Sequence, residues 1–146
     1  MNELAIRRPS APRHWPMTGE AWRALVDEIG RLRTDVSLAP ERADGVVDLA
    51  VVTAARRFDV LSAVLDAAER TDDSERAVIG RRVTLREPDG DSVTYALVFP
   101  GDGDPTQGWI SADSPLGSAV LGRLPGERVE VAAPAGRRLV TVLSVE

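Results

Sequence analysis

Residues 110–122 read Ile110-Ser-Ala-Asp-Ser-Pro-Leu-Gly-Ser-Ala-Val-Leu-Gly122, and this stretch decides the fold of the second half of the chain. Ser114 suits the N-cap of a helix, where its hydroxyl can accept a hydrogen bond from a backbone N–H, and Pro115 suits the first helical position. The apolar residues that follow cover about one and a half turns, and Gly122 suits the position that ends a helix. The stretch therefore predicts one short helix between extended segments.

Alternating apolar residues on both sides of this helix predict strands, because side chains of a strand point to opposite faces in turn. The alternating sets are Val83 and Leu85; Val93, Tyr95, Leu97 and Phe99; Val129, Val131 and Ala133; and Leu139, Thr141, Leu143 and Val145. Turns rich in proline and glycine separate them, at residues 88–90 and 134–136. Residues 73–146 therefore predict a small antiparallel sheet with one short helix, so that the whole chain is of the α+β class.

Residues 16–72 carry a helical pattern instead. Thr18 suits an N-cap, and two runs of apolar residues follow it at spacings of three and four. The runs are Trp22, Leu25, Ile29, Leu32 and Val36, and then Val47, Val51, Ala54, Phe58, Leu61, Leu65 and Ala68. Two such stripes joined by a short loop can cover each other in an antiparallel helical hairpin, a short coiled coil with its tip at residues 37–45. The alternative is a pair of helices lying flat on the sheet.

The composition excludes several kinds of function. The chain of 146 residues has no cysteine, which excludes disulfides, thiolate metal sites and cysteine nucleophiles. Its single histidine, His14, lies in a segment rich in proline and arginine, which argues against a histidine-based metal or triad site. A net charge of −5 argues against general binding to duplex DNA. No segment resembles a membrane span or a secretory signal, so we expect a cytoplasmic protein. Because no nucleophile, base or metal cluster converges in the sequence, we expect neither an enzyme nor a bound cofactor.

Three further segments do not predict a functional site. Residues 1–15 are rich in proline and arginine without any period, which predicts a disordered arm. The segment Asp102-Gly-Asp104 lacks the spaced ligands of a calcium loop and predicts a polar turn. Arg56 and Arg57 predict solvated charges on a helix rather than a basic edge for an RNA end.

The residues after Asp113 carry a resemblance to a known family. The string Asp113-Ser-Pro-Leu-Gly-Ser-Ala-Val-Leu-Gly122, followed by Pro125-Gly-Glu127 and the turn at 134–136, closely resembles the C-terminal domain of the GreA/GreB transcript-cleavage factors. The segment Tyr95-Ala-Leu-Val-Phe-Pro100 is similar to the short, Rnk-type members, which are named as regulators of nucleoside diphosphate kinase. The resemblance covers residues 76–146 well and residues 16–72 by general pattern. It implies an FKBP-like C-terminal domain preceded by a projecting coiled-coil hairpin.

The resemblance also implies a function and a partner. It implies a bacterial regulator of transcription elongation that binds RNA polymerase at the secondary channel. In the family, the aspartate and proline that match Asp113 and Pro115 face the rim of that channel, so Asp113, Ser114 and Pro115 are the candidate polymerase-binding residues. The hairpin would point into or across the channel and could transiently contact the 3′ end of the nascent RNA. We expect no membrane partner and no sequence-specific DNA binding.

Two carboxylates at the hairpin tip, Asp44 and Asp48, form the second candidate site, with Glu41 just before them. Carboxylates on a projecting loop can ligate Mg²⁺. In the Gre cleavage factors, two tip acids complete a metal site inside the polymerase and activate hydrolysis of backtracked RNA. Asp48 matches the second of these acids, whereas Gly45 occupies the place of the first.

The tip otherwise departs from the family. The family signature Gly-Asp-Leu-x-Glu-Asn-Ala-Glu-Tyr is replaced by Asp44-Gly-Val-Val-Asp-Leu-Ala-Val-Val52. We therefore expect a regulator without strong cleavage-stimulating activity and with no metal site of its own. One alternative is a Gre-type stimulator of transcript cleavage that uses the tip carboxylates. The other is an Rnk-like protein that binds and regulates a metabolic enzyme.

Overall fold

The structure is a computed structural model that describes residues 14–40, 44–73, 75–134 and 136–146. The predicted arm, residues 1–15, lies outside the described residues up to position 13, and its last residue, Trp15, begins the first strand. Glu41 also lies outside them. The helices and strands of the described part are, in chain order, β1 (Trp15–Met17), α1 (Gly19–Ser37), α2 (Leu49–Asp66), β2 (Ala68–Arg70), β3 (Arg82–Arg86), β4 (Ser92–Val98), β5 (Trp109–Ser111), α3 (Pro115–Val120), β6 (Arg128–Ala133) and β7 (Gly136–Val145).

Helices α1 and α2 form the predicted hairpin. The N-cap of α1 is Thr18, whose Oγ1 accepts a hydrogen bond from the backbone N–H of Ala21 at 3.0 Å. The two helices pack on each other near the chain ends of the hairpin, and this base also contacts the C-terminal domain. The buried residues of this base are Met17, Ala21, Leu25, Ile29, Leu61, Val64, Ile79 and Ala112. Leu25, Ile29 and Leu61 of the two predicted stripes are buried there, so the prediction that the helices cover each other is confirmed for the base of the hairpin.

The other half of the hairpin lies outside this core. Between Gly30 and Val60, no residue that the structure describes is buried. A helix pair lying flat on a sheet would bury an apolar face along its whole length, so the burial pattern favours a projecting hairpin. Val47, the first residue of the predicted second stripe, does not belong to it, because it lies two residues before α2 begins and is 67% exposed.

Strands β3 to β7 form one five-stranded sheet in the order β5-β4-β3-β7-β6. All neighbouring pairs are antiparallel except β4 and β5, which are parallel. The α+β class is confirmed, with the correction that the sheet is mixed and that β1 and β2 form a separate parallel pair at the hairpin base. The alternation of apolar residues identifies strands but not their partners, so it could not reveal either parallel pair.

One face of the sheet and α3 enclose the second core. Its buried residues are Ala77, Val83, Leu85, Leu97, Val120, Val129, Val131, Val140 and Val142. The predicted strand at β7 is present, but its alternating set Leu139, Thr141 and Leu143 is not the one buried in this core: Val140 and Val142 are, and Leu139 is 56% exposed.

A β-bulge explains the difference in β7. Val83 pairs with Val145, whereas Leu85, two residues later, pairs with Val142, three residues earlier on the other strand. The extra residue in β7 reverses which side chains face the core on the two sides of the bulge. Val145 therefore packs against the same core as Val142.

Candidate functional site

The consecutive residues Asp113, Ser114 and Pro115 lie at a corner between β5 and α3. We call it the docking corner after the role that the sequence analysis predicts for it. Ser114 is the N-cap of α3, and its Oγ accepts a hydrogen bond from the backbone N–H of Gly117 at 3.0 Å. The same hydroxyl donates to the backbone carbonyl of Ser111 at 2.7 Å. Ser114 is half-buried, whereas Asp113 and Pro115 are exposed. Ser114 therefore holds the corner, and its two neighbours face solvent.

The sequence analysis did not identify Gly117 as part of this corner. A Cβ atom on Gly117 would lie 1.9 Å from the carbonyl oxygen of Ser111 and 3.0 Å from Oγ of Ser114. Glycine is therefore the residue that lets α3 approach β5 so closely. The only signal in the sequence was a glycine inside a short helix, where it would otherwise be unfavourable.

Ser111 supports the carboxylate of Asp113. Its hydroxyl donates a hydrogen bond to Oδ1 of Asp113. Oγ of Ser111 in turn accepts a hydrogen bond from the backbone N–H of Gly101 at 3.3 Å. Ser111 thus links the docking corner to the turn that follows β4.

That turn contacts the hairpin through Arg57, which the sequence analysis predicted to be solvated. The prediction is wrong for this residue, whose side chain is only 20% exposed. Its Nη1 donates to the carbonyl oxygen of Pro100 at 2.8 Å, and its Nη2 donates to the carboxylate of Asp102 at 2.5 Å. A third charge, that of Glu28 on α1, lies 3.7 Å from Nε. The neighbouring Arg56 is exposed, as predicted.

The two tip acids have backbone partners. Oδ1 of Asp48 accepts a hydrogen bond from the N–H of Ala50 at 2.8 Å, which makes Asp48 the N-cap of α2. Oδ1 of Asp44 accepts one from the N–H of Val46 at 3.1 Å. Both acids are exposed. Within the described ranges, no group of three or more histidine, cysteine, aspartate or glutamate side chains is placed to hold a metal ion.

The segment from Asp102 to Gln107 includes a compact polar turn. Asp104 precedes a single 3-10 turn and accepts hydrogen bonds from the side chain of Thr106 at 2.6 Å and from its backbone N–H at 3.0 Å. These hydrogen bonds, of which the one from the Thr106 hydroxyl has the largest effect, hold the pKa of Asp104 below its usual value.

Of the helices that the structure describes, none is long and apolar enough to span a membrane.

Comparison with known proteins identifies the family. The model of the family described as "Transcription elongation factor, GreA/GreB, C-term" matches residues 72–146. The chain belongs to the GreA/GreB family. A protein named transcription elongation factor GreA from Bacillus cereus is 30% identical to this GreA/GreB family member over 153 residues, which cover 90% of this chain and 96% of the relative.

A second relative and a solved structure carry names from the same family. A transcription elongation factor GreA from Dehalococcoides mccartyi is 44% identical over 73 residues, which cover 49% of this chain and 47% of the relative. The solved structure of the transcription elongation factor GreA/GreB from Nitrosomonas europaea aligns with a TM-score of 0.48 at 23% identity, covering 90% of this chain and 98% of that one. The family recognised from the docking corner is confirmed, whereas the likeness to Rnk-type members stays a prediction.

Proposed function

We propose that this GreA/GreB family member binds RNA polymerase at the secondary channel and regulates elongation without strongly stimulating transcript cleavage. The observation that carries the proposal is the docking corner, an exposed aspartate and proline held in place by the two hydrogen bonds of Ser114. The relatives named transcription elongation factor GreA support the same partner.

The backbone of the docking corner is held in one conformation before any partner binds. Because Ser114 fixes the backbone before binding, less conformational freedom is lost when a partner docks. The exposed carboxylate of Asp113 suits an arginine or a backbone N–H of the partner, and the ring of Pro115 offers apolar surface beside it. The partner is then the rim of the channel, and the projecting hairpin extends into or across the channel, where it can meet the 3′ end of the RNA.

The tip of the hairpin supports a weak role in cleavage. Gly45 stands in the place of the first family acid, and Asp48 caps α2 through one carboxylate oxygen. Val46 and Val47 lie between the two aspartates and are 55% and 67% exposed. A catalytic group displaced by about 1 Å can lose two orders of magnitude in rate. We therefore propose that the tip regulates elongation by occupying space and not by ligating the metal of the polymerase.

Replacing Asp113 and Pro115 together by alanine tests the docking corner. We expect a loss of affinity for RNA polymerase of at least tenfold, measured by fluorescence anisotropy, with an unchanged circular dichroism spectrum. The matched control is Pro88→Ala with Asp89→Ala, which removes the same pair of residue types from the exposed turn between β3 and β4. Unchanged affinity in the Asp113 and Pro115 variant would refute this docking site. A lysate pull-down that returns a metabolic enzyme and no polymerase would favour the Rnk-like alternative.

Replacing Asp44 and Asp48 together by asparagine tests the tip. Asparagine retains an oxygen that can cap α2, so the variant removes the charges and keeps the helix end. We expect little RNA cleavage above background in backtracked elongation complexes with either protein, and the same effect on elongation. Strong Mg²⁺-dependent cleavage by the parent protein that disappears in the variant would show a compact cleavage factor with Asp44 and Asp48 as ligands.

A further inference from the structure

We infer that Arg57 is a positioning residue, which clamps the hairpin to the turn after β4 and thereby sets the direction of the hairpin relative to the docking corner. This inference rests on the proposed function only where it concerns the polymerase. The clamp itself is a property of the isolated chain and can be measured without any partner.

The contacts of Arg57 join three parts of the molecule. Arg57 lies on α2, and its guanidinium donates to the Pro100 carbonyl and to the Asp102 carboxylate, at 2.8 and 2.5 Å. Glu28 adds a charge from α1 at 3.7 Å. Hydrogen bonds that involve an ionised group are stronger and more directional than the apolar contacts of the hairpin base. The apolar base therefore holds the hairpin on the domain, and Arg57 fixes its angle.

The turn after β4 places the Pro100 carbonyl and the Asp102 carboxylate next to Arg57. The backbone N–H of Asp102 donates to the carbonyl of Phe99 at 3.0 Å, and Gly101 has a φ of 85°. Proline followed by a glycine with positive φ is the signature of a type II turn. A Cβ atom on Gly101 would lie 3.3 Å from Nη1 of Arg57. Glycine at this position therefore serves the turn and also leaves room for the guanidinium.

The same turn reaches the docking corner. The N–H of Gly101 donates to Oγ of Ser111 at 3.3 Å, and the Ser111 hydroxyl donates to Asp113. Arg57 and Asp113 thus hold opposite ends of one short chain of contacts. A change in the angle of the hairpin at Arg57 is a change relative to the surface that we propose docks.

The length of the hairpin makes this angle important. The part of α1 that projects beyond the buried base, residues 30–37, spans about 12 Å at roughly 1.5 Å per residue. A rotation of about 20° at the base would move the far end of this part by about 4 Å. Loss of the clamp should therefore misplace the tip while the docking corner remains intact.

Distances between two labels test the clamp in the isolated protein. The chain has no cysteine, so cysteines introduced at the exposed positions Asp35 on α1 and Ala132 on β6 take the only two spin labels. We expect pulsed electron paramagnetic resonance to give one narrow distance distribution for the parent, and one at least twice as broad for Arg57→Ala. The control Arg56→Ala removes the adjacent, exposed arginine and should leave the distribution unchanged.

Two further variants separate positioning from general stability. Asp102→Ala removes one of the two acceptors and leaves the Pro100 carbonyl, so it should broaden the distribution, by less than Arg57→Ala does, with no additional effect in the double variant. If Arg57→Ala does not fold, Asp102→Ala carries the test. Arg57→Lys retains the charge but lacks the fork that spans two acceptors, so it should give an intermediate width. A distribution for folded Arg57→Ala or Asp102→Ala as narrow as that of the parent would refute the clamp.

Transcription assays test its consequence. We expect Arg57→Ala to bind RNA polymerase within about twofold of the parent affinity, and to lose at least threefold of its effect on elongation at saturating concentration. An unchanged effect, or a loss of affinity equal to the loss of effect, would overturn the positioning role. If the parent itself does not bind polymerase, the proposed function fails, whereas the label distances still decide whether Arg57 sets the angle.

Discussion

Replacing Gly117 by alanine tests whether the docking corner depends on the close approach of α3 to β5. The added Cβ would lie 1.9 Å from the carbonyl oxygen of Ser111, whereas an ordinary contact begins near 3.4 Å. Relief therefore needs a shift of about 1.5 Å, since the atom in the way belongs to the backbone and cannot rotate aside. The same shift would stretch the 3.0 Å hydrogen bond between the Gly117 N–H and Ser114.

The expected cost follows from these two effects. Overpacking costs about 1–3 kcal/mol, and loss of an N-cap costs about 1 kcal/mol. Alanine recovers about 0.5–1 kcal/mol through its higher helix propensity, so we expect a net loss of about 1–3.5 kcal/mol. Gly30→Ala is the matched control, because Gly30 lies inside α1, is exposed, and has nothing within 4 Å of its Cβ position. That variant should gain about 0.5–1 kcal/mol.

Urea unfolding followed by circular dichroism measures both variants. With a slope of about 2 kcal/mol per molar urea, Gly117→Ala should unfold at a urea concentration about 0.5–1.8 M lower than the parent. Gly30→Ala should unfold at a slightly higher concentration than the parent. If Gly117→Ala is as stable as the parent, or gains stability as Gly30→Ala does, the account of the close approach is wrong.

Three further predictions follow from single residues. Ile29 is 5% exposed at the hairpin base, so Ile29→Asp should bury an unpaired charge and lower the free energy of unfolding by about 3 kcal/mol or more. Val26→Asp, at a position 36% exposed on the same helix, should lower it much less. Equal losses of stability for the two variants in thermal unfolding would contradict this packing. Asp48→Ala should lower the stability of the protein by about 1 kcal/mol and Asp48→Asn by far less, and the cap is refuted if the two variants melt at the same temperature. The hydrogen bonds to Asp104 lower the pKa of its carboxyl group, so the stability that this carboxylate contributes is complete above the usual aspartate pKa and is lost as pH falls through the lower folded-state pKa. Titration of the Asp104 carboxyl followed by NMR should give a midpoint below the usual aspartate value, and this midpoint should rise in Thr106→Val. A midpoint at the usual value in the parent would contradict the prediction.

The sequence by itself determined the features that depend on a few neighbouring residues. Thr18 and Ser114 were predicted as N-caps, and both accept the expected backbone hydrogen bonds. The spacing of three and four predicted two helices that cover each other, and the alternation around Val83 and Val129 predicted strands, which the structure has. Such signals are readable because a cap or a repeat involves residues within about one turn or one strand.

The tertiary structure decided the rest, since the partners lie far apart along the chain. The bulge in β7 moves Val140 and Val142 to the core, and it arises from pairing with β3, more than fifty residues earlier. Arg57 contacts Asp102, 45 residues away. Gly117 is only six residues from Ser111, but the need for glycine there depends on how closely α3 packs on β5. A hydrogen bond or a close contact of this kind depends on where folding places the second group. The sequence therefore predicted the hairpin and the docking corner, and only the folded chain shows the contacts that join them.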